Sequence, residues 1–66
     1  MRRLKKELWP VMITVDRPEI IYDIEVWLSE TMGMVTKRWN AVYKHNATDF
    51  YFKNHEDATM FALRWT

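Results

Sequence analysis

Apolar and polar residues alternate along three stretches of the chain, which predicts three strands. The first covers Trp9–Val15, where every second residue is aromatic or β-branched. Pro10 has no backbone N–H to donate, so it fits the start of an edge strand or the free side of one. The second strand region is Met34–Lys44, and the third is Thr48–Lys53.

The second and third strands are predicted to form an antiparallel hairpin, because only the turn His45-Asn46-Ala47 separates them. Alternation over the second strand gives one face with Trp39, Ala41 and Tyr43, which we assign to the core. The opposite face carries Arg38, Asn40, Val42 and Lys44.

Two other stretches have the apolar spacing of a helix. The first helix begins at Asp16–Glu19, with Pro18 in the first turn and either Asp16 or Arg17 as the cap. Gly33, the only glycine, predicts a left-handed C-cap. The second helix runs from about His55 to the end of the chain, with Asn54 as its N-cap.

The element order β-α-β-β-α predicts an α+β, two-layer, ferredoxin-like fold. Its three-stranded antiparallel sheet has the third strand between the first and the second, and two helices on one face. The last strand of the four-stranded version is missing, which leaves the outer edge of the first strand open for pairing. A second subunit, a partner peptide or the Arg2–Glu7 segment could occupy that edge. Alternatively, Pro10 is the protection that keeps the edge unpaired.

Composition narrows the functional classes. The 66 residues predict one domain over residues 8–66, preceded by a basic tail over residues 1–7. The net charge is +1, but residues 1–6 hold four of the ten basic side chains, so the remainder has six basic against nine acidic and a net charge of −3. A dedicated nucleic-acid binder is more basic than that. We find no signal peptide and no membrane-length apolar run, and we expect a cytoplasmic protein with no membrane contact.

Catalytic, cofactor and metal residues are not predicted. The chain has no cysteine, and its two histidines, His45 and His55, belong to a turn and to a helix start. Glu19 and Asp23 are one helical turn apart, which on an exposed helix is usually plain surface. We therefore expect a protein that is not an enzyme and needs no cofactor.

The interpretation we favour is a protein-interaction module, a homodimer formed through the edge of the first strand. The candidate partner-binding residues are Leu8, Trp9, Met12 and Trp39. Trp9 and Trp39 qualify as anchors if they are exposed, because tryptophan is frequent among binding hot spots. Met60 and Leu63 could extend such a surface.

The alternative is binding of RNA or single-stranded nucleic acid on the open face of the sheet, as in RNA-recognition motifs. The residues that would serve it are Arg2, Arg3, Lys5, Lys6, Arg38, Lys44, Tyr51 and Lys53. The strand motif of that family is absent, because the sequence DFYFK contains no glycine. Asp49 would also repel phosphate.

The closing stretch resembles small uncharacterised proteins of tailed bacteriophages, especially marine ones. The resemblance covers the last third of the chain and is carried by Phe50, Phe52, Asp57-Ala58, Phe61-Ala62-Leu63 and Trp65. These are core positions, so the resemblance implies a fold and gives no site. It implies an accessory protein made in the cytoplasm of a bacterial host and binding a host or phage protein.

Overall fold

The computed structural model describes residues 7–66. Its three strands are β1 (Val11–Val15), β2 (Trp39–Tyr43) and β3 (Thr48–Phe52). Its two helices are α1 (Ile21–Met32), which follows a single 3₁₀ turn at Pro18–Ile20, and α2 (His55–Trp65). The basic residues Arg2, Arg3, Lys5 and Lys6 lie outside the described residues.

The three strands form one antiparallel sheet in the order β1-β3-β2. Phe50 at the centre of β3 is paired with Ile13 on one side and Ala41 on the other. The predicted α+β class, with a three-stranded antiparallel sheet and two helices, is confirmed. Both β1 and β2 are edge strands.

Both helices pack on the sheet face that carries Phe50 and Phe52. The side chains of Ile24 and Leu28 from α1 and Phe61 from α2 are fully buried in this cluster. The Phe61 ring lies 5.2 Å from that of Phe50 and 5.1 Å from that of Phe52, measured between ring centroids. The phenylalanines are therefore the centre of the core, as their spacing predicts.

Two strands are shorter than their sequence pattern suggests. β1 begins at Val11, so Trp9 precedes the strand and lies outside the main core cluster. β2 begins at Trp39, because residues 34–37 form a turn in which the Lys37 N–H donates to the Met34 carbonyl at 3.2 Å. Thr36 in this turn has a positive φ of 77°, which lies outside the β region of backbone conformation.

The helix ends agree with prediction in position and differ in detail. Arg17 is the last non-helical residue before Pro18, with φ −119° and ψ 87°. Gly33 ends α1 with a φ of +90°, but its ψ of −170° is not that of a left-handed helical cap. Its carbonyl accepts a 2.9 Å hydrogen bond from the Trp39 indole. Asn54 is the N-cap residue of α2 but makes no capping hydrogen bond with its side chain.

Candidate functional site

The hydrogen-bonding pattern of the sheet fixes which backbone groups point outward at each edge. Lys53 N–H donates to the Arg38 carbonyl at 3.4 Å, and Lys44 N–H donates to the Ala47 carbonyl at 2.8 Å. Since bonded and non-bonded pairs alternate in an antiparallel ladder, Asp49 and Tyr51 bond to β2. Thr48, Phe50 and Phe52 therefore bond to β1.

The same alternation determines which backbone groups of β1 point away from the sheet. Val11, Ile13 and Val15 are the bonded partners of β3, so the backbone groups of Met12 and Thr14 point away from the sheet. Within residues 7–66, neither residue has a backbone hydrogen-bond partner on that side. Pro10 is the next residue whose backbone groups point away from the sheet. Its missing N–H therefore costs the sheet no hydrogen bond.

The outer edge of β2 is different, because its own chain covers part of it. The Trp39 carbonyl accepts a 2.8 Å hydrogen bond from the Thr36 N–H, which the turn before the strand brings into place. The Ala41 N–H donates to the side-chain oxygen of the preceding Asn40, also at 2.8 Å. Both bonds use groups that an added strand would need, so this edge is protected against pairing.

Apolar side chains accompany the β1 edge. Trp9, Pro10, Met12 and Tyr51 line a shallow depression of about 460 Å³ on the sheet face next to it. The Met12 side chain is 49% exposed, and Leu8 is also exposed. The edge therefore offers backbone hydrogen-bonding groups beside apolar surface, which is the chemistry that strand addition uses.

Neither tryptophan in the predicted partner set is an exposed anchor. Trp9 is 6% exposed and Trp39 is 4% exposed. The Trp39 ring packs 6.4 Å from that of Phe50, inside the core. The Trp9 ring lies 5.0 Å from the ammonium nitrogen of Lys53. Of the four predicted partner residues, only Leu8 and Met12 are accessible.

Asp49 is a buried carboxylate on the sheet face that the helices leave uncovered. It accepts hydrogen bonds of 2.7 Å from the Thr14 hydroxyl and from the Lys44 ammonium. Both bonds hold the pKa of Asp49 below its ordinary value, and the bond from Lys44 is the larger cause. Lys44 is thus neutralised on the face that the nucleic-acid alternative would use.

Arg38 corrects the sequence prediction most clearly. The sequence pattern predicts it on the uncovered sheet face, but it precedes β2 and its guanidinium forms two hydrogen bonds to Asp57 in the first turn of α2, at 2.6 and 3.1 Å. The ammonium group of Lys53 lies over the Trp9 ring in a cation–π contact. The described part of this face thus offers one half-buried ring, Tyr51, and no cation without a partner among Arg38, Lys44 and Lys53.

A second apolar surface is one that the sequence pattern does not predict. It is a groove of about 430 Å³ between α1 and the β2 edge, lined by Glu25, Val26, Ser29, Met34, Val35, Trp39 and Tyr43. Met34 is 71% exposed and lies in the turn before β2, whereas the sequence pattern predicts it in a strand. The Tyr43 hydroxyl donates to Glu25 across the groove. Burial and this bond raise the pKa of Tyr43 to about 12.

Other kinds of site have less support. Among residues 7–66, no three His, Asp or Glu side chains lie together as a metal site requires. No helix in that range is both long and apolar enough to cross a membrane. Comparison of the chain with protein-family models, curated proteins and solved structures finds no significant match.

Proposed function

We propose that this chain is a small, non-enzymatic protein-interaction module of ferredoxin-like fold that pairs with a second copy of itself through the outer edge of β1. The phage origin implied by the resemblance stays a prediction, and with it the host or phage protein that the homodimer would bind. The location in a bacterial cytoplasm belongs to the same prediction.

The contrast between the two sheet edges carries this proposal. At β2, two of the outward backbone groups are already bonded within the chain. At β1, the outward groups of Met12 and Thr14 have no partner within residues 7–66 and lie beside exposed apolar side chains. Because unpaired edges favour the addition of a strand, β1 is the edge that a partner strand would extend.

The outward groups also favour one register. If two copies of β1 pair in antiparallel about a two-fold axis at Ile13, Met12 of each copy faces Thr14 of the other, and both exchange hydrogen bonds. A register centred on Met12 would instead place Thr14 opposite Pro10, which has no N–H to donate. The first register therefore joins two three-stranded sheets into one of six strands without using Pro10.

Sedimentation velocity at micromolar concentration tests the proposal. The wild-type chain is expected to sediment as a dimer, and Met12→Lys as a monomer, because a charged side chain on an edge strand opposes pairing. Val35→Lys is the matched control, since Val35 is 45% exposed and lies next to the β2 edge. It should leave the dimer intact. A monomeric wild type, or dissociation by both substitutions alike, would contradict the proposal.

A further inference from the structure

The helix layer contains a second cleft, on the opposite side of the molecule from the uncovered sheet face. It lies between α1 and α2, has a volume of about 550 Å³, and is lined by Tyr22, Asp23, Val26, Trp27, Glu30, Arg64 and Trp65. Three aromatic rings and two carboxylates thus share one opening. None of these residues takes part in the proposed pairing of β1.

One cation already lies on an aromatic ring of this cleft. The guanidinium carbon of Arg64 is 4.9 Å from the centroid of the Trp65 ring, which is cation–π distance. The Trp65 ring is itself held edge-to-face against Trp27, with centroids 6.2 Å apart and an interplanar angle of 79°. The ring that receives the guanidinium is therefore fixed in place by packing before any ligand arrives.

The carboxylates of the cleft have no cationic partner in the part of the chain that the structure describes. Asp23 and Glu30 lie one turn before and one turn after Trp27 on α1, so all three side chains share one helix face. Within residues 7–66, neither carboxylate forms an ion pair, and Arg64 lies beyond ion-pair distance of both. Fixed rings flanked by unpaired carboxylates attract an organic cation.

From this geometry we infer that the α1–α2 cleft binds the guanidinium group of an arginine side chain of a partner protein, in competition with Arg64. A guanidinium is planar, stacks on aromatic faces and donates hydrogen bonds to carboxylates from its edge. Arg64 contacts the Trp65 ring and, from its own position on α2, forms no ion pair with Asp23 or Glu30. An incoming arginine would satisfy both the ring and the carboxylates.

This inference rests on the proposed function only in assigning the cation to a protein, because the cleft is independent of the β1 edge. Its test is a titration of the 15N-labelled protein with a capped Gly-Arg-Gly peptide, followed by NMR. The indole N–H of Trp65 is a local probe, since its nitrogen is buried and has no hydrogen-bond partner. The same peptide with citrulline in place of arginine keeps the shape and removes the charge.

We expect the arginine peptide to shift the Trp65 indole resonance and the citrulline peptide to leave it unchanged. Arg64→Ala should bind the arginine peptide about 2- to 5-fold more tightly, the factor that matches an exposed cation–π contact. Lys37→Ala, the matched control that also removes one positive charge, should bind as the wild type does. Equal shifts from both peptides, or equal affinities of the two variants, would overturn the inference.

The carboxylates are tested in the same titration. The double variant Asp23→Asn/Glu30→Gln should lose the shift induced by the arginine peptide. The matched double variant Asp16→Asn/Glu56→Gln, which removes two negative charges outside the cleft, should retain it. Loss in both doubles would mean that net charge alone attracts the peptide and would overturn the assignment to this cleft. Self-association of each variant is measured separately by sedimentation, so either proposal can fail alone.

Discussion

Asp57 shows how a single side chain joins the sheet to a helix in this protein. It lies in the first turn of α2, is almost completely buried, and accepts two hydrogen bonds from Arg38 and a longer one, 3.4 Å, from Asn54. The bonds from Arg38 are the main cause that holds the pKa of Asp57 below its ordinary value. The helix N-terminus stabilises the same negative charge.

Substitution of this carboxylate should have a pH-dependent cost. Asp57→Asn is expected to lower the free energy of unfolding at pH 7 by about 1–3 kcal/mol, the range for a lost charged hydrogen bond at a buried site. Because the pKa is depressed on folding, the carboxylate stabilises the wild type fully above its unfolded pKa near 3.8, and that contribution disappears as the pH falls through the lower folded value.

The difference between wild type and Asp57→Asn should therefore be largest at neutral pH and shrink below about pH 3.8. Urea denaturation of both proteins at pH 7 and at pH 3 measures it. Glu56→Gln, on the adjacent exposed residue, serves as the control and should cost little at either pH. A difference that stays constant from pH 7 to pH 3 would mean that the ionised carboxylate is not what stabilises the native state.

At the scale of elements, the sequence pattern alone predicts the strands and helices that local periodicity determines. The hairpin of β2 and β3 and both helices follow from alternation, from helical spacing and from punctuation at Pro18 and Gly33. The true start of β2 does not follow, because Met34 and Val35 resemble strand residues. The positive φ of Thr36, which turns the chain, has no sequence signal: β-branched residues disfavour it.

The candidate site was predictable only in part, for the same reason. Element order predicts that β1 is an edge strand, and its outer edge has no backbone partner among residues 7–66. Leu8 and Met12, which are accessible, are predicted as extensions of a surface around Trp9 and Trp39. The protection of the β2 edge was not predictable, because it depends on a tertiary placement of the Thr36 N–H and the Asn40 side chain. The role of Arg38 likewise depends on where the fold places Asp57.

Proline substitution at two adjacent positions of β1 tests the assignment of its outward edge. Met12→Pro removes an N–H that points away from the sheet, so the fold of the chain should persist, and its loss of stability comes only from backbone strain and from the lost pairing with a second copy. Ile13→Pro removes an N–H that bonds to β3 and should destabilise the domain by at least an additional 1–3 kcal/mol. Thermal unfolding followed by circular dichroism compares them. Equal melting temperatures would show that the edge is assigned wrongly.

At the scale of the whole molecule, the described residues 7–66 present three surfaces of different chemistry around one small aromatic core. The β1 edge offers backbone groups, the α1–β2 groove offers apolar side chains, and the α1–α2 cleft offers rings and carboxylates. A domain of this size buries only about 60% of its unfolded surface and is marginally stable alone. Pairing with a second copy through β1 would bury more surface and would join the two three-stranded sheets into one sheet of six strands.

Amide hydrogen exchange as a function of protein concentration tests the central claim most directly, because it reports on the outward groups themselves. If β1 pairs with a second copy, exchange at Met12 and Thr14 should slow as the concentration rises from low to high micromolar, while exchange at Tyr43 on the β2 edge stays constant. Concentration-independent exchange at Met12 and Thr14, or slowing at Tyr43 instead, would contradict pairing through β1.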